Sequence, residues 1–112
     1  MSEGKLLWSP TINDIQESEL EKYRLYINDK YKASVSDYEE LWQWSIDKKE
    51  VFWNDLFDWF GLIYEGERNP ALVGNRMPDF TWFPKVHINF AENLTRFAED
   101  SKIAIISVDE SG

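Results

Sequence analysis

His87 is the only histidine in the chain. A catalytic imidazole needs an orienting partner and a second polar group within reach. Flanked by Val86 and Ile88, His87 reads as a packing or surface residue. With no cysteine and no second histidine, it cannot complete a zinc-type ligand set. Two pairs of carboxylates, Glu17 with Glu21 and Asp55 with Asp58, fall on single helix faces. Such pairs do acid–base work only where their surroundings drive their pKa values apart. Asp55 and Asp58 occupy the narrow polar stripe of an otherwise aromatic helix, and the expectation is a solvated face. The five glycines are isolated, and none stands in a phosphate-cradling pattern. No residue is therefore assigned a catalytic, cofactor-binding or metal-binding role.

Composition narrows the classes further. With 12 basic and 21 acidic residues the chain carries a net charge of −9, which repels phosphate. Nucleic acid and anionic membranes are poor partners for such a surface. Aromatic residues make up 16% of the chain, with six Trp, five Tyr and seven Phe. Stacking platforms for single strands come with a basic groove. Here the rings alternate with acids, as in Phe57-Asp58-Trp59, and core or interface packing explains them better. The lack of cysteine points to the cytoplasm, because small secreted domains are usually disulfide-bonded. The opening residues do not read as a signal peptide, and no apolar run is long enough for a membrane span.

The elements that hold these residues read as follows. Met1 to Lys5 is expected to be loose, and Leu6, Leu7 and Trp8 form an apolar plug. Ser9-Pro10 has the form of a helix start. Ser18 with Glu21 has the spacing of a capping box. The helix behind it carries Leu20, Tyr23, Ile27 and Tyr31 on one face. Ser36 with Glu39 is a second such box, opening a helix with Tyr38, Leu41, Trp42 and Ser45 on one side. Asp47 with Glu50 caps a third helix, Val51 to Phe60, which Gly61 ends. Its apolar arc is too wide for burial on one side only. The expected core is Leu20, Tyr23, Ile27, Leu41, Trp42, Phe52, Leu56 and Phe60.

Residues 62 to 86 contain Gly66, Pro70, Gly74, Pro78 and Pro84 and show no helical period. A loop this long is functional or pressed onto another body. Met77, Phe80, Trp82 and Phe83 favour the second case. Asn89 with Glu92 caps a last helix carrying Phe90, Leu94 and Phe97. Ile103 to Val108 is short, β-branched and nearly continuous, as a buried strand is, yet no other segment reads as its neighbour. The fold expected is mainly α: a small helical N-terminal region over residues 1–100, with a long aromatic loop. One C-terminal β-strand within residues 101–112 then begins a truncated α/β domain.

Two blocks resemble a known family. Leu41-Trp42-Gln43-Trp44-Ser45, Val51-Phe52-Trp53 and Asp58-Trp59-Phe60-Gly61 are similar to the N-terminal region of acetoacetyl-CoA synthetases. So are Met77-Pro78, Trp82-Phe83-Pro84 and Ile88-Asn89-Phe90-Ala91-Glu92-Asn93-Leu94. Leu7-Trp8-Ser9-Pro10 resembles that family's opening. The likeness runs from about Leu6 to Val108, and Lys85 departs from it by standing where the family usually has Gly. The resemblance implies an adenylate-forming ligase using ATP, Mg and CoA. The phosphate loop, acyl pocket and catalytic Lys of that family would lie beyond the matched region. It also implies that this region is inactive alone and partners the large adenylate-binding domain of the same polypeptide. The competing reading is an independent helical module that binds another protein through its aromatic surface.

Overall fold

A computed structural model of the protein describes residues 4–111. Residues 1–3 of the expected loose tip lie outside the described residues. The chain divides into two compact units, one ending at Trp59 and one starting at Phe60.

The first unit is helical. Helix α1 (Ile12–Glu17) starts at Thr11, whose side chain accepts from the backbone of Asp14 while the Asp14 carboxylate accepts from the Thr11 backbone. The cap is therefore Thr11 and not Ser9, because Thr11 alone meets an acid three residues on. Helix α2 (Glu19–Tyr31) is capped by Ser18 as expected. Its Glu21 carboxylate, however, turns to Arg24 rather than back to the cap. Helix α3 (Tyr38–Asp47) starts one residue later than expected. Asp37 is the cap, and Glu40 accepts from the Ser36 backbone and hydroxyl at 2.7 Å each. Helix α4 (Lys49–Phe60) follows after Lys48, and Gly61 leaves it with φ +60°.

Tyr23, Ile27, Val35 and Leu41 form the buried core, with Tyr26, Trp44, Phe52, Leu56 and Trp59 packed against it. Complete burial of a side chain such as Ile27 contributes roughly 1.5–3 kcal/mol. Leu20, Trp42 and Phe60, expected in the core, are each about half exposed. Trp44 takes the inward place expected of Trp42. Val35 is held in the α2–α3 connection by the Asn28 amide. The amide accepts from the Val35 N–H at 2.9 Å and donates to its C=O at 2.8 Å, as a neighbouring strand would.

The second unit contains two short antiparallel ribbons. Strand β1 (Glu65–Gly66) pairs with β4 (Val86–His87), and β2 (Leu72–Val73) pairs with β3 (Thr81–Trp82). Two-residue strands carry no readable period, so a segment expected to be loop is a pair of nested hairpins. Helix α5 (Phe90–Thr95) is capped by Asn89, which accepts from the Glu92 backbone at 3.0 Å. Ile103 to Val108 form no strand and are exposed.

Candidate functional site

The first unit contains a polar cluster that contradicts the solvated-face expectation for Asp55. Asp55 has no exposed surface at all. Its two carboxylate oxygens accept from four donors on α2. Oδ1 takes Lys30 Nζ at 2.7 Å, Tyr31 Oη at 2.5 Å and Tyr26 Oη at 3.1 Å. Oδ2 takes Tyr23 Oη at 3.3 Å. Asp58, one turn on, is half exposed and lies 3.5 Å from Lys30. The Lys30 ammonium sits 5.3 Å from the centroids of both the Tyr26 and Tyr31 rings, where ring quadrupoles favour a cation.

The electrostatics agree with that geometry. Burial first, and the hydrogen bond to Asp55 next, push the Tyr31 hydroxyl up to about 12. Burial and then the Asp55 charge push Tyr23 up as well. The hydrogen bond to Asp55 holds the Lys30 ammonium above its ordinary value. Every shift keeps the hydroxyls neutral and the amine charged, the states in which they donate. Three of the four donors converge on one oxygen, and the whole set fastens α2 to α4. Each carboxylate oxygen is thus engaged with α2. A signal for it was present in the sequence. Tyr23, Tyr26, Lys30 and Tyr31 lie along one stripe of α2, and a buried hydroxyl such as that of Tyr23 requires an acceptor.

In the second unit, the family-like block is a scaffold. The Phe83 N–H donates to Ala71 C=O at 2.8 Å, with Phe83 itself at φ +45°. Gly66 has φ +95°, and a Cβ there would stand 2.0 Å from Lys85 O, so only glycine lets the β1 and β4 backbones close. Lys85 reaches Glu67 at 3.7 Å. Asn93 repeats the device of Asn28, accepting from the Ile63 N–H at 2.9 Å and donating to its C=O at 3.0 Å. Arg96 donates to the carbonyls of Gly61, at 2.9 Å, and Phe60. The two asparagines of Asn89-Phe90-Ala91-Glu92-Asn93-Leu94 thus cap and clamp the backbone.

His87 stands opposite Glu65 in the β1–β4 register and is exposed. No group of three His, Cys, Asp or Glu among the described residues could hold a metal ion. Among the described residues no run of glycines offers adjacent N–H groups to a phosphate. Among the described residues no helix is long and apolar enough to cross a membrane.

No protein-family model matches the chain. Comparison with known proteins nevertheless gives a class: the chain is a relative of the acyl-CoA synthetases, and the matched part is their N-terminal region. Within that class the likeness is to acetoacetyl-CoA synthetases. It is 29% identical over 112 residues to acetoacetyl-CoA synthetase of Xenopus tropicalis, covering 96% of this chain and 16% of that protein. It is 33% identical over 93 residues to malonamoyl-CoA synthetase of Penicillium aethiopicum, covering 77% of this chain and 13% of that one. Acetoacetyl-CoA synthetase from Streptomyces lividans superposes with a TM-score of 0.71 at 26% identity, over 80% of this chain and 14% of that one. The chain therefore spans about a sixth of the length of the curated relatives it matches.

Proposed function

We propose that the chain serves as the N-terminal structural region of an ATP-dependent acyl-CoA ligase in the cytoplasm. That ligase joins acetoacetate to CoA through an acyl-adenylate, and this region has no activity alone. The observation that carries the reading is the match along 96% of the chain to proteins some six times as long. The polar chemistry of the chain supports it, because Asp55, Asn28, Asn93 and Arg96 are all spent on holding backbone and helices. ATP, Mg and CoA would bind elsewhere in the longer protein.

Its partner in this reading is the large adenylate-binding domain, and Ile103 to Val108 is that domain's first strand. Ile103 and Ile105 alternate with Ala104, Ile106 and Val108, so both faces of an extended segment are apolar. Strands of that kind belong inside a sheet covered on both sides. The exposure of all four large side chains supports the assignment. The Penicillium aethiopicum relative, which matches the same region, is named for a different acyl group, malonamoyl. The choice of acetoacetate accordingly rests on the relatives that bear that name.

The test is a hybrid. This chain replaces the matching segment of the Streptomyces lividans enzyme, and acetoacetate-dependent pyrophosphate release is measured. The expected outcome is activity in the hybrid and none in the 112-residue chain alone. A folded but inactive hybrid, or an active isolated chain, overturns the reading.

A further inference from the structure

The first unit has an open apolar groove of about 660 Å³ along α1, α2 and the start of α3. The buried Leu41 lines it together with the exposed Trp8, Ile15, Leu20 and Tyr38. Trp8 and Tyr38 expose 72% and 65% of their surface, and Ile15 and Leu20 about half. Large contiguous apolar exposure of this kind marks an interaction site. The rim is acidic. Glu21 is neutralised by Arg24 at 2.5 Å. Asp14 and Asp37 accept hydrogen bonds from neutral donors, the Thr11 hydroxyl and backbone and the Glu40 backbone, and Asp37 also lies in the field of Arg24. We propose that this groove, apolar along its floor and acidic at its rim, docks a basic amphipathic helix from another protein. Helix-in-groove recognition places side chains spaced i, i+4 and i+7 into such a channel, and Lys or Arg at the flanks answer Asp14 and Asp37.

A second copy of the chain is a poor occupant. It brings a charge of −9 against −9. Its exposed apolar stretches include Phe90 and Leu94 of α5 and Phe97 just beyond it, with Glu92 and Glu99 close by in the chain. They also include Ile103 to Val108, preceded by Asp100 and a Lys102 already paired with Glu99 and followed by Asp109 and Glu110. Like charges would meet at the same rim.

The proposal is tested with the 112-residue chain and a synthetic Leu/Lys peptide of about 14 residues, leucines spaced i, i+4, i+7. Amide chemical shifts should move at Trp8, Leu20, Tyr38 and Leu41. Tyr38→Glu and Leu20→Glu, both at exposed sites, should each weaken binding about tenfold or more. Both variants add negative charge, so simple attraction of a cation to an acidic protein would tighten binding instead. A peptide with Glu for Lys, and one with Ser for Leu, should bind at least about tenfold more weakly than the Leu/Lys peptide. Equal binding of either control, tighter binding by the variants, no binding, or shifts elsewhere would each overturn the proposal. So would self-association that perturbs the same residues as the concentration rises.

Discussion

Lys30 and Asp55 form an ion pair in which one partner is sealed and the other is not: the Lys30 side chain is 37% exposed, that of Asp55 fully buried, and they meet at 2.7 Å. Removing the buried partner is the costly change. Asp55→Ala leaves three tyrosine hydroxyls and an ammonium without their acceptor. It should destabilise the first unit by about 1–3 kcal/mol, as leaving a buried donor such as the Tyr23 hydroxyl unsatisfied does. Urea denaturation followed by tryptophan fluorescence measures it. A loss under about 1 kcal/mol would place Asp55 at the surface.

The same cluster sets a pH dependence, and its sign is fixed by the direction of each shift. Tyr23, Tyr31 and Lys30 all have pKa values raised on folding. The folded state therefore holds their protons more tightly than the unfolded chain does. Their stabilisation is complete below the unfolded values near 10 and is lost as pH rises above them. Tyr31, at about 12, marks the upper part of the window. Unfolding free energy should stay level from neutral pH to about 9.5 and fall steeply between about 10 and 12. In Asp55→Asn that fall should shrink, since the acceptor charge is gone. An alkaline fall unchanged in the variant would detach it from this cluster.

The tryptophans of Leu41-Trp42-Gln43-Trp44 show how far sequence reading went. Apolar spacing located the five helical segments, and capping pairs fixed the starts of α2 and α5, because those signals depend only on neighbours in the chain. The same signals left the rotation of α3 open. Ser36 and Asp37 each have an acid three residues on, and which one caps is decided by where the helix docks. The structure selects Asp37 and turns Trp44 inward against Phe52 and Tyr31, with Trp42 52% exposed. Asp55 escaped for a related reason. A polar stripe on one helix looks the same whether it faces water or three hydroxyls on another helix. Trp44→Ala should cost about 3 kcal/mol or more, and Trp42→Ala within about 0.5 kcal/mol. Chemical denaturation of the two variants side by side checks the order, and the reverse order would restore the original core.

Two glycines with positive φ should respond very differently to alanine. Gly61 has φ +60° and nothing within 4 Å of an added Cβ. Gly61→Ala should therefore cost only the left-handed penalty of about 1–2 kcal/mol. Gly66→Ala adds a collision with Lys85 O at 2.0 Å, and the β1–β4 ribbon must open to relieve it. Amide exchange at Val86 and His87 should speed up in Gly66→Ala and stay unchanged in Gly61→Ala. Equal effects would mean that the ribbon does not need its close backbone approach.

Ile103 to Val108 gives the most direct test of the ligase reading. These residues combine the composition of an interior strand with exposures of 75–86% at Ile103, Ile105 and Ile106. A segment with no ladder and few contacts opens at almost no free-energy cost. In the 112-residue chain its amides should exchange at nearly the rate of an unfolded peptide, while those of α2 and α4 are strongly protected. In the hybrid with the Streptomyces lividans enzyme the same amides should become protected, because an interior strand donates and accepts along both edges. Hydrogen exchange read by mass spectrometry on the peptide spanning these residues compares the two states. Strong protection at Ile105 and Ile106 in the isolated monomer would mean that the segment has a partner within the chain. Continued rapid exchange in an active hybrid would remove the strand from the adenylate-binding domain while leaving the family relationship intact.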